Sequence, residues 1–480
     1  MALQRPYDAL IIGSGQAGTP LASAFAKAGQ KVVLIESTHI AGCCVNEGCT
    51  PTKTLITSGR VAHLTQRGPD YGIHTSKENE TNQVLVDMKK VRQRKRDIVE
   101  SFRGGSEKRL KDAGVEVLMG KAGFVSPTTV HVVTGGGQGS EKILTAKNIF
   151  INVGERPATP SLQGIKKLSK ERVLDSTSIQ ELDAVPEKLV VIGGGYVGVE
   201  FAQLFGRLGS TVTVLQRAKQ LLPREDQEVA QALKEILEDE GVVIKLESEA
   251  VGVDSVSENG SFTLSVKHAG AEQQIEGTHI LFAAGRVPNT ESLNLEAAGI
   301  ETNARGYIVA NEFLQTTAGH VYVLGDVKGP PAFTHISYDD FRIIKANLLP
   351  ESPEAPKLGT TGRLVPYVVY TDPQLGHVGL HEHEARKQFP EKNIKTAKMP
   401  MAWVARALET DESKGLMKAV VDGDSGEILG FTCLGIEGGE VMAVVQMAIM
   451  GGVRYQKLQD AVWAHPSLAE SLNNLWGFLE

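Results

Sequence analysis

Tyr7-Asp8-Ala9-Leu10-Ile11-Ile12-Gly13-Ser14-Gly15-Gln16-Ala17-Gly18 runs from an apolar strand into a Gly-x-Gly-x-x-Gly turn, and residues 21–28 then read as a helix. A second strand, residues 31–35, follows and closes on Glu36. This succession specifies a dinucleotide site. The glycines let backbone amides approach a pyrophosphate at the positive end of the helix, and the acid ending the second strand binds a ribose hydroxyl. A glycine turn alone carries little weight; the flanking elements and Glu36 make it a fold assignment.

The pattern recurs. Residues 189–192 form an apolar run into Gly193-Gly194-Gly195-Tyr196-Val197-Gly198, followed by a helix over 200–208 and a strand over 211–215. This strand ends in Gln216-Arg217 rather than an acid. A diol-binding carboxylate is therefore missing, and a cation stands ready for a 2′-phosphate, which favours NADP(H) over NAD(H). Lys219 and Arg224 either assist or form an ordinary solvated loop.

After the first unit comes Ala41-Gly42-Cys43-Cys44-Val45-Asn46-Glu47-Gly48-Cys49-Thr50-Pro51-Thr52-Lys53, which holds three of the chain's four cysteines. Cys44 and Cys49 stand five apart. On one regular helix they would be separated by about 7.5 Å of rise, beyond the roughly 6.8 Å limit for bridged Cα atoms, so a disulfide needs a turn or a distorted helix entrance. Gly48 permits the irregular backbone, and Pro51 suits the first turn of a helix running on through Ile56. A helix N-terminus also favours the thiolate. The alternative is three cysteines packed as small hydrophobes.

The 480 residues suit two to four domains. A net charge of -7, with 41% hydrophobic and 22% charged residues, gives no footprint for nucleic acid or an anionic membrane. The basic run from Lys89 to Arg96, within a helix over 87–110, reads as a solvated face. Four cysteines in so long a chain do not make a secreted disulfide scaffold, no apolar run reaches membrane-spanning length, and no leader segment is read at Met1-Ala2-Leu3; the expectation is a cytoplasmic protein. Residues 115–133 read as strands, 135–140 as a flexible loop, and 149–154 as a short buried strand leading to Glu155-Arg156-Pro157. Residues 280–289 repeat that strand-then-Gly-Arg-x-Pro pattern. Val321-Tyr322-Val323-Leu324 ends in Gly325-Asp326, where the acid serves either as a hydroxyl acceptor or as a helix cap. From about Pro356 the strands at 365–370, 416–421 and 428–434 and the helix at 441–450 indicate a separate α+β domain. It contains His465-Pro466 and Glu470, a histidine and a carboxylate able to fix its tautomer.

Together these motifs resemble the flavoprotein disulfide reductases, the class I family of glutathione reductase, dihydrolipoamide dehydrogenase and mercuric reductase, over nearly the whole chain. Phe333-Thr334-His335-Ile336-Ser337, Asp339-Asp340 and Gly435-Ile436-Glu437-Gly438-Gly439-Glu440 most resemble the mercuric-reductase-like branch. The resemblance implies an α/β fold with two dinucleotide-binding, Rossmann-like domains of the glutathione-reductase type and a C-terminal α+β dimerisation domain. The boundaries expected are residues 1–156 for the first FAD-binding segment, 157–286 for the NAD(P)H-binding domain, 287–355 for a central FAD-binding segment, and 356–480 for the interface domain.

The resemblance also implies FAD held by Gly13, Gly15, Gly18, Glu36, Gly42, Lys53, Gly154 and Asp326, and NADPH held by Gly193, Gly195, Gly198, Arg217 and Arg286. Electrons then pass from nicotinamide through flavin to a Cys44–Cys49 disulfide, with Tyr196 as a moving gate, Cys49 facing the flavin and Cys44 attacking substrate. Lys53 and Glu200 match the family's ion pair beside the flavin. His465, held by Glu470, matches the acid-base residue that a partner subunit contributes in a twofold homodimer.

The expected substrate is a small-molecule disulfide, or a dithiol if the reaction runs the other way; a quinone or metal ion is the alternative acceptor, and a non-catalytic redox sensor or structural subunit the alternative of another class. The family's usual Thr before the first redox cysteine is Cys43 here, read either as a third thiol or as a small buried substitute. The sequence shows no cysteine pair near Glu480 and no amino-terminal metal-binding domain, and His465 stands where mercuric reductase carries a tyrosine, so true mercuric reductase is not the expectation. No resident metal is read from the sequence, Cys433 is assigned to a core strand, and Asn152-Val153-Gly154 replaces the more usual Ala-Thr-Gly.

Overall fold

The structure is a computed structural model and describes residues 6–74, 84–135, 139–158, 161–268 and 270–480. Residues 136–138, the middle of the loop expected at 135–140, lie outside them. The chain forms two compact units, each built from separated segments: residues 1–54, 92–158 and 285–363 in the first, and 55–91, 159–284 and 364–480 in the second.

In the first unit, Tyr7–Ile12 pairs in parallel with Val32–Glu36 on one side and Glu141–Ile151 on the other. Glu116–Ser126 and Val321–Val323 add to the two edges, also in parallel. The middle strands are apolar along nearly every position because both faces are covered. Thr129–Thr134 joins the far ends of Glu116–Ser126 and Glu141–Ile151 as an antiparallel hairpin strand. The short strand expected at 149–154 is thus the buried tip of a much longer one whose start is solvent-exposed. The two Arg-x-Pro repeats pair with each other: Glu155–Pro157 lies antiparallel to Arg286–Pro288, with Val287 opposite Arg156.

The second unit repeats the arrangement, with parallel strands in the order Val243–Lys245, Thr211–Leu215, Lys188–Ile192, His279–Phe282 and Val173–Leu174. The helix Tyr196–Leu208 packs on this sheet through Phe201, Ala202 and Phe205, all at most 1% exposed, and ends at Gly209, whose φ of 112° suits only glycine. An antiparallel three-stranded sheet, Ser248–Val256, Phe262–His268 and Ala271–Gly277, is also part of this unit. Residues 364–480 add a five-stranded antiparallel sheet, ordered Tyr367–Val369, Gln374–Gly379, Ile428–Gly435, Leu416–Asp422, Ile394–Pro400, with the helix Gly438–Met450 packed against Gln374–Gly379 and Ile428–Gly435. Cys433 is fully buried in its strand, and burial pushes its thiol up to about 12. No helix among the described residues is long and apolar enough to cross a membrane.

Phe205 lies in the core of the second unit with no exposed surface. Phe205→Ala is expected to lower the unfolding free energy by about 3–5 kcal/mol, read as a fall in denaturant midpoint with little change in slope; an unchanged midpoint would contradict this packing.

Candidate active site

The glycine loop of the first unit is shaped by backbone contact. A Cβ on Gly18 would lie 2.1 Å from Gly13 O, and one on Gly13 would lie 2.3 Å from Asn152 O. Helix and strand end therefore meet backbone to backbone, as glycine alone permits. Asn152 explains its own departure from the usual alanine. With its carboxamide oxygen turned to the loop, it accepts hydrogen bonds from Gly18 N at 3.0 Å and Gly15 N at 3.2 Å, and its nitrogen donates to Leu324 O at 3.2 Å.

Glu36 is buried at the end of its strand: Oε2 accepts from Ser14 N at 3.0 Å and Ser14 Oγ at 2.6 Å, and Oε1 from Thr38 N at 2.9 Å. These bonds hold the acid across the mouth of the loop. Beside it opens a cavity of about 540 Å³, lined among others by Gly15, Glu36, Gly42, Cys43, Cys44, Gly154, Asp326 and Thr334. That volume is typical of a cofactor site. Gly42 has φ 67°, and a Cβ there would lie 2.6 Å from Gly15 Cα. Asp326 is the second residue of the short 3-10 turn Gly325–Lys328, whose N-cap position is Leu324, so the cap reading is set aside. Its carboxyl is pushed up to about 6, chiefly by burial.

Cys44 sits on a one-turn helix, Gly42–Asn46, and Cys49 opens the helix Cys49–Gln66. The break between the helices supplies the distortion that the spacing demands. Gly48 is required there for closeness rather than for an unusual φ: a Cβ would lie 3.1 Å from Cys43 O and 3.3 Å from Cys44 Cα. Neither sulfur is in a disulfide, and Thr334 joins them, its Oγ1 donating to Cys44 Sγ at 3.0 Å and lying 3.3 Å from Cys49 Sγ. The Cys44 thiol is pushed up, first by its hydrogen bond with Cys49 and then by burial, while Thr334 pulls it down. Cys49 stands at the positive end of an 18-residue helix, a position that favours a thiolate.

Cys43 is not the small buried substitute of one sequence reading. It is exposed on the cavity wall, where Arg286 Nη2 donates to its Sγ at 3.7 Å. Burial of the sulfur atom raises its thiol, and Arg286 opposes that shift. Arg286 itself is held by Glu155, with Nε 2.6 Å from Oε1 and Nη2 2.8 Å from the carbonyl oxygen. Arg286 thus stands in the first unit beside Cys43, and Lys53 lies four residues into the Cys49–Gln66 helix.

The remaining expected residues stand in the second unit. A Cβ on Gly193, at φ 114°, would lie 2.8 Å from Ala283 O, and one on Gly198 would lie 1.9 Å from Gly193 O. Nothing lies within 4 Å of a Cβ position on Gly195, so the N-terminus of the helix Tyr196–Leu208 is open to an anion. Gln216 turns back to the loop, its Oε1 accepting from Gly194 N at 3.4 Å. Arg217 is 75% exposed, with Glu249 Oε1 3.8 Å away. Tyr196 donates to Glu225 Oε1 at 3.0 Å, and buried Glu200 accepts from Tyr370 N at 2.8 Å. His465 Nδ1 is 2.9 Å from Glu470 Oε2, and the ring is 67% exposed.

Two glycine cradles, the second with an open helix N-terminus, a buried acid beside the first and a thiol pair at the edge of its cavity define an FAD- and NAD(P)H-dependent dithiol oxidoreductase. The chain belongs to the pyridine nucleotide-disulphide oxidoreductases: the family model matches residues 7–340, and that of the family's dimerisation domain matches residues 365–475.

Among its relatives, the probable pyridine nucleotide-disulfide oxidoreductase RclA of Escherichia coli K12 is 36% identical over 99% of both chains. Mercuric reductase of Staphylococcus aureus is 33% identical over 97% of this chain and 81% of its own length, and dihydrolipoyl dehydrogenase of Thermus scotoductus is 34% identical over 98% and 96%. The solved Cu(II) complex of the HOCl-induced flavoprotein disulfide reductase RclA from E. coli superposes with a TM-score of 0.86 at 35% identity, covering 99% of each chain. The family is FAD-binding and uses NAD(P)H, and the cradle around Gly13, Gly42, Glu36 and Asp326 fits the flavin dinucleotide.

In the sequence Thr334 stands out only as part of the stretch Phe333 to Ser337, with no role at the site, because its sulfur contacts lie 285 and 290 residues away. Because its hydroxyl stabilises the Cys44 thiolate, Thr334→Val is expected to move the pH midpoint of Cys44 alkylation upward by up to about one unit. A pH series with iodoacetamide and mass-spectrometric site assignment checks this; a downward move would overturn the role given to the hydroxyl.

Proposed function

We propose that this protein is a homodimeric flavoenzyme that spends NADPH to reduce a disulfide, or an acceptor that behaves like one, through Cys44 and Cys49. The observation that carries the reading is the thiol pair bridged by Thr334 Oγ1, at 3.0 and 3.3 Å, at the edge of the cofactor cavity. The expected four-segment domain division goes with it, as does a reducing, cytoplasmic setting in which the thiols stay reactive.

Bound FAD would supply a two-electron exchange with both nicotinamide and the Cys44–Cys49 disulfide. The chain's own residues do the rest. The neighbouring Cys49 and burial raise the Cys44 thiol, so turnover calls for a base, and His465 of a second copy is our candidate. With Nδ1–H donated to Glu470, its Nε2 is free to take the proton. The Cys44 thiolate then attacks one sulfur of the substrate disulfide; a mixed disulfide forms, and the departing thiolate takes the proton back from His465. Cys49 attacks Cys44 Sγ, closes the Cys44–Cys49 disulfide and releases the second thiolate. Two protein thiols are oxidised as one substrate disulfide is reduced. In reverse the same steps oxidise a dithiol, and potentials decide the direction.

A second reading has a quinone or a metal ion as acceptor. The mercuric reductases among the relatives and the Cu(II) complex of RclA favour its metal-ion form. A sensor without turnover is disfavoured by the family, whose members are enzymes. The two enzyme readings separate with Cys44→Ser. We expect kcat/KM for a disulfide to fall by about 10³-fold or more while NADPH-to-quinone turnover stays within about threefold of the parent; equal loss of both would contradict the proposal. His465→Gln should slow disulfide turnover by about 10²- to 10⁴-fold, with activity restored in mixed dimers carrying Cys44→Ser on the other chain.

NADPH rather than NADH is our cofactor assignment, resting on Arg217 and the absence of an acid at Gln216. Arg217→Gln is expected to raise KM for NADPH by about 10- to 100-fold, the loss of one charge-assisted contact, and to leave KM for NADH nearly unchanged. Steady-state kinetics with both nucleotides decides this.

A further inference from the structure

Within the second unit, away from every group used so far except Tyr196, three potential metal ligands are buried together. Glu225 is 3% exposed, His377 2% and His381 5%. One ligand atom from each lies within 4.8 Å of the others. Glu225 follows the loop after the strand Thr211–Leu215, His377 stands on the strand Gln374–Gly379, and His381 caps the helix Glu382–Gln388, so three separate elements converge.

Glu225 is bound at only one oxygen. Tyr367 donates to its Oε1 at 2.6 Å and Tyr196 to the same atom at 3.0 Å, while Oε2 is buried without a hydrogen-bond partner. A buried carboxylate oxygen left without a partner is destabilising unless something fills the place beside it. His381 Nε2 lies 3.9 Å from Oε2 and 3.1 Å from the Tyr367 hydroxyl, so a cation bridging Oε2 and Nε2 replaces that hydrogen bond. On the far side of the same ring, Asp226 Oδ2 stands 3.9 Å from Nδ1. At that distance the carboxylate makes no hydrogen bond with Nδ1, and Lys418 Nζ holds it instead at 2.9 Å.

His377 is stacked on His381 with centroids 3.9 Å apart and an interplanar angle of 14°. Parallel rings do not aim their lone pairs at one point, so His377 has to turn about its Cβ–Cγ bond and release Gly379 O, at 3.1 Å from Nε2. The bond between Nδ1 and Thr432 Oγ1, 2.8 Å, is the other one at stake.

We propose that Glu225, His381 and His377 form a binding site for one divalent transition-metal ion per chain. Two imidazoles and a carboxylate suit zinc(II) foremost, and they also accept cobalt(II) and copper(II). The site needs neither the flavin nor the redox thiols, so it stands or falls independently of the proposed reaction.

The test uses the FAD-loaded protein, stripped of metal and kept oxidised so that Cys44 and Cys49 are paired. Zinc(II) is titrated calorimetrically, bound metal is counted by mass spectrometry after gel filtration, and cobalt(II) spectra are recorded. About one ion per chain is expected, with cobalt visible bands of a nitrogen and oxygen site and no thiolate-to-cobalt charge-transfer band.

Glu225→Gln, which keeps the side-chain shape, and His381→Gln are each expected to weaken zinc binding at least tenfold, while Cys43→Ser leaves it unchanged. Less than a tenth of an ion per chain in the parent protein, a sulfur charge-transfer band, or loss of binding in Cys43→Ser with retention in Glu225→Gln would overturn the assignment. The cobalt spectrum of the parent decides the matter even if a variant misfolds.

Discussion

Both halves of the electron path rest on one steric constraint: a glycine loop in which helix and strand touch through their backbones. In the first unit the would-be Cβ of Gly18 falls 2.1 Å from Gly13 O, and in the second that of Gly198 falls 1.9 Å from Gly193 O. No side chain fits at either place. The contact sets the first turn of each helix directly on the tip of its strand, where unsatisfied amides point outward and an anion is favoured. Everything else in the first unit is arranged around that tip. Glu36 is tied to Ser14, Asn152 accepts from the loop amides, and the thiol-bearing segment begins six residues beyond Glu36, where Gly42 passes within a would-be 2.6 Å of Gly15.

The redox pair adds an asymmetry that spacing alone does not contain. Two cysteines five apart are equivalent on paper. In the structure Cys44 sits in the middle of the one-turn helix Gly42–Asn46, while Cys49 begins a long helix at the positive end of its dipole. The Thr334 hydroxyl touches both sulfurs. Cys43 extends the polar wall toward Arg286 and Glu155, so a position that in the family carries a hydroxyl here presents sulfur to a guanidinium.

Much of this was readable before any coordinates. Apolar runs without alternation, each followed by a glycine turn and a helical period, mark parallel strands buried on both faces, and the strands Tyr7–Ile12 and Thr211–Leu215 agree to the residue. Strands with wet faces were harder to read. Ala271–Gly277 is nearly all exposed and carries Glu, Gln and Gln, and Ile394–Pro400 mixes Lys, Thr and Ala, so neither shows a period strong enough to separate it from loop. Contacts between distant residues left no local trace. Thr334 meets sulfurs 285 and 290 residues away, and His377 and His381 meet Glu225 only through the fold of the second unit.

The order in which the ribosome releases the chain meets an awkward architecture. Each unit is threaded from three separated segments, and the first cannot be completed until residue 363 has been made, because its parallel edge strand Val321–Val323 arrives more than 160 residues after its neighbour Glu141–Ile151. At ordinary translation speeds that interval lasts on the order of tens of seconds. Throughout it a buried-type apolar strand waits with one hydrogen-bonding edge uncovered, a natural target for a nascent-chain chaperone and a natural point of failure when synthesis outruns such help.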